Sequence, residues 1–147
     1  VIGLCLVGGA ARFRVSSELM ENAKSSTTYH RAVDMIINWS FAANTPARLV
    51  ELAMNRMLEN RYSVLYGDLI ACESFDISER VSNIKQPTLV ICGAMDKMTP
   101  LRYSEYLATT IPQGSLQVIA EAGHMVMLEQ PEAVAKTLIP FLRTIPY

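Results

Sequence analysis

Two stretches decide the reading: Gly93-Ala94-Met95-Asp96-Lys97-Met98-Thr99-Pro100 and Ala122-Gly123-His124-Met125-Val126-Met127-Leu128-Glu129-Gln130-Pro131. The first follows the apolar run Thr88-Leu89-Val90-Ile91-Cys92, opened by Pro87, and the second follows Ser115 to Ala120. Short apolar runs bounded by turn formers read as buried strands. Each stretch is then a loop at a strand's end, one carrying an acid and the other a histidine. A histidine that exchanges a proton, and an acid that fixes its tautomer and steadies its charged form, are what a nucleophilic hydrolase needs to deploy a general base.

Working outward, Thr99-Pro100 reads as a cap and start of a helix that turns Tyr103, Tyr106, Leu107 and Ile111 to one side, and Pro112-Gln113-Gly114 breaks it. Pro131 starts the last helix, with Val134, Ala135, Leu138 and Leu142 inward. Pro140 lacks a backbone donor and is expected to kink or end that helix. Upstream, Val1-Ile2-Gly3-Leu4-Cys5-Leu6-Val7 reads as a strand closed by the small-residue turn Gly8-Gly9-Ala10-Ala11. From about Ser16 to Val81 the pattern is helical. Thr45-Pro46 is expected to cap a helix with Val50, Ala53, Met54, Met57 and Leu58 as its stripe. Met35 to Phe41 is apolar nearly all round, as in a helix covered on more than one side, and a further helix spans Tyr62 to about Ala71.

The chain thus divides into a core strand and turn (1–15), a helical insertion (16–81) and an α/β core (82–147). Strand, insertion, strand-helix-strand-helix implies a parallel sheet with right-handed crossovers. Three such strands leave a long edge unpaired, which asks for more chain or offers a surface for self-association. The opening on Val1, without methionine or basic leader, reads as entry into the middle of a fold and not as a signal peptide.

Composition narrows the class. The 147 residues are 50% hydrophobic and 18% charged, with 13 basic and 14 acidic side chains and a net charge of −1. That is an ordinary globular domain with no charge run for nucleic acid or an anionic membrane surface. No stretch reaches the roughly 18 to 20 apolar residues that span a bilayer. Cys5, Cys72 and Cys92 are widely spaced and read as free thiols in a reducing compartment, the cytoplasm. With two histidines, no metal-ligand spacing appears. Asn38-Trp39-Ser40 matches a glycosylation acceptor by chance.

The chain resembles the C-terminal half of an α/β-hydrolase-fold protein, of the lid-bearing group that includes esterases, acyl hydrolases and C–C bond hydrolases. Gly93, Asp96 and Pro100 match that family's G-x-x-D-x-x-x-P, and Gly123, His124, Glu129 and Pro131 match its G-H-x-x-x-x-E-x-P. The resemblance implies a partial α/β-hydrolase fold, the helical middle as a lid, Asp96 and His124 as catalytic residues, and no metal or organic cofactor. Some relatives carry the acid after the earlier strand, but here that turn, Gly8-Gly9-Ala10-Ala11-Arg12, offers no carboxylate. A lone loop aspartate is usually a helix cap, and a lone histidine is usually structural. Two matched loops in the right order and strand context outweigh those readings. Glu129 and Pro131 are expected to start the terminal helix and not to touch substrate.

The nucleophile is not in this chain. It belongs on a strained G-x-S-x-G elbow, and no such pattern occurs with Ser, Cys or Asp at its centre. In the family the elbow precedes the strand that opens this chain, and the oxyanion hole also comes from earlier residues. Gly8-Gly9 lacks the G-x-G-x-x-G spacing of a dinucleotide loop.

Met95 and Met98 flank Asp96, Met125 follows His124, and Trp39 lies in the helical insertion, so these four are the candidate walls of an apolar pocket. Arg12 and Arg14 are candidates to meet a substrate carboxylate, against the plainer reading of solvated charges. The expected parent is a serine hydrolase. Its substrate is a small, mainly apolar carbonyl compound (ester, thioester, amide or C–C bond), attacked through a Ser-His-Asp triad whose serine lies upstream. The alternatives are a non-catalytic ligand-binding protein of the same fold or an inactive fragment. An aspartate nucleophile would mean dehalogenase or epoxide chemistry instead.

Overall fold

A computed structural model describes residues 1–145. The chain runs β1 (Leu4–Val7), α1 (Ser17–Ala23), α2 (Tyr29–Ser40), α3 (Ala47–Leu58), α4 (Tyr62–Ser74), a 3-10 turn (Ser78–Asn83), β2 (Thr88–Gly93), α5 (Leu101–Thr110), β3 (Gly114–Ile119), α6 (Val126–Glu129) and α7 (Pro131–Thr144). The three strands form a parallel sheet in the order β1-β2-β3, with Leu4 opposite Thr88 and Thr88 opposite Gly114.

β2 is buried along its whole length, as a central parallel strand covered on both faces must be. Its alternating side chains feed two cores. Leu89 and Ile91 pack with Ile119, Ala122, Val126 and Val134 on the α7 side. Val90 packs with Ala11, Val81, Leu107 and Ile111 on the α5 side. Burying each such Val, Leu or Ile side chain stabilises the fold by about 1.5–3 kcal/mol. β1 is shorter than its apolar run: Val1 and Ile2 are exposed, and pairing begins where the Leu4 amide donates to the Pro87 carbonyl at 3.0 Å.

α2 explains its all-round apolar sequence by lying between two clusters. Ala32 and Ile36 meet Leu19, Ala23 and Leu69 from α1 and α4. Tyr29, Val33 and Ile37 meet the half-buried α3 stripe of Val50, Ala53, Met54, Met57 and Leu58. The Tyr29 hydroxyl adds a bond to the Met57 carbonyl at 2.6 Å. Where the helical segment leaves and rejoins the core, its two legs are stitched together. Arg12 and Asp76 form an antiparallel bridge, and the Ile77 amide donates to the Ala11 carbonyl at 2.8 Å. The Val15 amide donates to Glu73 at 2.6 Å, and Phe13 stacks at a tilt on Phe75. Among the described residues no helix is long and apolar enough to cross a membrane.

Several local expectations are corrected. Helix α7 continues through Pro140 to Thr144. Pro140 and Lys136, whose carbonyl loses its partner, are both exposed, so water can satisfy the freed group. The inner face of α7 is Ala133, Val134, Leu138 and Phe141, while Ala135 and Leu142 face outward. Tyr106 on α5 is also exposed, its hydroxyl donating to the Ser78 carbonyl at 3.1 Å. Neither Thr-Pro pair caps a helix through its threonine. Pro46 and Pro100 are themselves the cap residues of α3 and α5, which places Thr45 and Thr99 one position outside, with hydroxyls free for longer-range bonds.

Candidate active site

Asp96 sits in the turn that carries the chain from β2 to α5. Its Oδ1 accepts from the amides of Met98 and Thr99, both at 2.8 Å, the self-closing turn that aspartate favours. The other oxygen, Oδ2, is thereby aimed away from the turn, and His124 Nδ1 lies 2.9 Å from it. The Asp96 side chain is fully buried and that of His124 is 27% exposed. Thr99 Oγ1 stands among the same groups, 2.9 Å from Asp96 Oδ2, 2.9 Å from the Gly8 carbonyl and 3.2 Å from His124 Nδ1. Its single proton serves one acceptor at a time; when it goes to the Gly8 carbonyl, the Thr99 amide still bonds Asp96 Oδ1, and the residue links the end of β1 to the acid's turn.

The glycines of the two loops have a steric reason. A Cβ on Gly93 would collide with the carbonyl oxygens of Ala122 and Gly123, so the two loops touch backbone to backbone. Gly8, at φ +58, lies against the imidazole; a Cβ there would come within 3.1 Å of His124 Nδ1 and Cε1. Gly123 abuts the end of α2, where an added Cβ would meet Ser40 O at 2.8 Å and Ala42 N at 2.9 Å.

The histidine loop is held from both sides of His124. The Met125 amide donates to the Ser40 carbonyl at 3.1 Å. The Gly123 amide donates to Glu129 Oε2 at 2.7 Å, while Glu129 Oε1 accepts from the Ala42 amide at 2.7 Å and from Thr45 Oγ1 at 2.6 Å. Glu129 ends α6; it does not start the terminal helix, which Pro131 opens.

His124 and Thr99 open onto a cavity of about 450 Å³. Leu19, Trp39, Leu69 and Met98 supply apolar wall, with Arg14, Cys72 and Lys97 also lining it. Of the four pocket residues read from the sequence, Trp39 and Met98 therefore share a cavity with His124. Met125 lines a separate apolar groove with Leu49, Ala53 and Leu128, and Met95 is 44% exposed. Arg14 lines the cavity, whereas Arg12 is engaged by Asp76 at 3.3 Å. The three cysteines are free, and burial pushes the thiols of Cys5 and Cys92 upward.

Sequence reasoning missed Thr99 and Glu129. Each reads as the start of a helix, and nothing in a Thr-Pro or Glu-x-Pro pattern distinguishes that from a bond to a distant loop. A histidine held at Nδ1 by a buried carboxylate, beside a mainly apolar cavity, is suited to exchanging a proton at Nε2 with a bound molecule.

Comparison with known proteins shows the family to which this fold belongs. The chain is 34% identical over 76 residues to a putative carbamate hydrolase of Pseudomonas syringae pv. syringae, covering 52% of this chain and 29% of that protein. It is 28% identical over 85 residues to a monoacylglycerol lipase of Rattus norvegicus, covering 57% of this chain and 25% of that protein. Among solved structures, a thermophilic esterase superposes on 97% of this chain with a TM-score of 0.86 at 39% identity. An esterase from Exiguobacterium antarcticum superposes on 98% with a TM-score of 0.87 at 22% identity, a likeness of fold. The chain spans 56% and 58% of the lengths of those two structures, so it carries part of the fold. The sequence model of the alpha/beta hydrolase fold matches residues 25–131, and the chain belongs to that family.

Proposed function

We propose that this chain supplies the base and the orienting acid of a Ser-His-Asp triad in a serine hydrolase whose serine lies upstream of Val1. The contact of His124 Nδ1 with the buried Asp96 Oδ2, at 2.9 Å, carries the reading. With Nδ1 so engaged, Nε2 takes the serine proton as the oxygen attacks a carbonyl carbon, and returns it to the leaving group. Water then repeats the sequence on the acyl-enzyme. Asp96 holds the tautomer and stabilises the imidazolium that forms in each half-reaction.

The substrate is a small, mainly apolar carbonyl compound, with an ester as the first bond to test. Supporting this are the apolar walls formed by Leu19, Trp39, Leu69 and Met98, and the esterase, lipase and hydrolase names of the relatives. In this reading the helical segment, residues 16–81, is a lid over the cavity. Three free thiols suit the cytoplasm.

The test uses the longer protein that contains this chain. His124→Ala is expected to cut hydrolysis of a short p-nitrophenyl ester by about 10⁴-fold or more with the melting temperature little changed. Turnover that survives this substitution would overturn the assignment.

A further inference from the structure

Resting on His124 as the base, we propose that Glu129 is a positioning residue that sets the imidazole by clamping the histidine loop to the linker between α2 and α3. One carboxylate accepts three short bonds from two regions: Gly123 N on one oxygen, Ala42 N and Thr45 Oγ1 on the other, all at 2.6–2.7 Å. Charged acceptors make the shorter and stronger hydrogen bonds. Gly123 immediately precedes His124, and Met125 immediately follows it with its own bond to Ser40. The backbone of the base is therefore fixed on both sides against residues 40–45. Gly123 and Ala42 are buried, so their amides have no water to turn to if the carboxylate is lost.

The clamp joins docking of the helical segment to the site. Residues 40–45 follow the helix that contributes Trp39 to the cavity wall. A shift of this linker moves the cavity wall and, through Glu129, the histidine. Asp96 makes no hydrogen bond to this linker; the amides of its own turn hold it. The distance of His124 Nδ1 from Asp96 is then the quantity that Glu129 governs.

The experiment compares Glu129→Gln and Thr45→Val in the longer, active protein, with kcat, KM and melting temperature measured together. Glutamine has one acceptor oxygen where glutamate has two, so either the Gly123 side or the Ala42 side of the clamp is lost. Misplacement of a catalytic group by an ångström costs about 100-fold, and E129Q is expected to lower kcat by about 10- to 100-fold with KM within about twofold. T45V removes one of three donors and folds in either case; it is expected to lower kcat by about two- to fivefold.

Side-chain ¹⁵N–¹H spectra give a second readout. The chain has two histidines, and His30, exposed on α2, is the internal control. Both substitutions are expected to move the His124 ring signals and leave those of His30 in place. Unchanged His124 signals, with kcat falling only as far as thermal stability does, would reduce Glu129 to a structural tie and overturn the proposal. Full kcat in both variants would overturn it as well. If H124A abolishes turnover while E129Q does not affect it, only the positioning role fails; if H124A is active, the triad itself fails.

Discussion

The loop after β2 holds its functional side chain with amides two and three residues away, those of Met98 and Thr99. The loop after β3 relies on Glu129, whose other partners lie 87 and 84 positions away, and on the Ser40 carbonyl. The bonds that hold the aspartate lie mostly in its own turn, while those that hold the histidine loop cross to the helical segment. The hydrogen bonds of the acid loop run to its own turn, to the histidine loop and to the end of β1, and only Met98 packs on the helical segment. If Glu129 positions His124 as proposed, changes in the linker after α2 reach the histidine more than the aspartate.

The sharpest way to break this comparison is Asp96→Asn in the longer protein. The remaining oxygen still accepts from Met98 and Thr99, so the turn should persist and the melting temperature should change little. The new amide donates toward His124 Nδ1, which must then give up its proton and hold the wrong tautomer. A loss of about 10⁴-fold in kcat is expected. If D96N unfolds the protein as readily as Asp96→Ala, the acid loop does not stand on its own turn and the contrast collapses.

A pair of glycine substitutions sharpens the other half. At Gly123 a methyl group would press on Ser40 O, Phe41 C and Ala42 N, backbone atoms at 2.8–2.9 Å that cannot rotate away. Gly123→Ala is expected to cost about 1–3 kcal/mol, the scale of overpacking a tight contact. Gly67, on α4, has nothing within 4 Å of the added carbon and no positive φ. Gly67→Ala should therefore stabilise by about 0.5–1 kcal/mol through helix propensity. Urea unfolding of both variants measures the signs. A neutral G123A would mean the histidine loop can leave the end of α2, against the close docking inferred here.

Much of the fold was legible in the sequence because strand runs and turn residues are local signals. Thr88–Cys92 reads as a buried strand from its own composition, and Gly93, Asp96, Gly123 and His124 stand next to strands that place them at one edge of the sheet. What the sequence hid depends on distance or on a single helical step. A threonine before proline looks the same whether its hydroxyl caps a helix or, as at Thr99 and Thr45, bonds Asp96 or Glu129. The inner face of α7 slipped from Ala135 and Leu142 to Ala133 and Phe141, a rotation of about 100° per residue that an apolar helix does not encode sharply. Met125 and Trp39 line different hollows: Trp39 faces the cavity beside His124, while Ile37 and Ser40 of the same helix line the groove that holds Met125.

The smallest expected effect concerns the other attachment of the helical segment, the stitched legs at Arg12 and Asp76. Here the partners are about half exposed, with side-chain exposures of 52% and 45%. The Ser78 amide, donating to Asp76 Oδ1 at 2.9 Å, holds the Asp76 carboxyl below its ordinary range, with the Ser78 side chain and the Arg12 guanidinium adding to it. A depressed folded-state pKa contributes stability that is fully present above the unfolded value of about 3.9 and is lost as pH falls through the folded value. Asp76→Asn should therefore lower the melting temperature slightly at neutral pH, where the contribution is present, and flatten its decline below about pH 4, so that the two proteins converge in acid. The Arg12 share of that difference should shrink in high salt, because exposed charges are screened. An unchanged acid slope in D76N would remove the carboxylate from the legs' stability and leave the Ile77–Ala11 and Val15–Glu73 bonds and the Phe13–Phe75 contact to join them. The contrast with the half-buried clamp at Glu129 would then rest on that clamp alone.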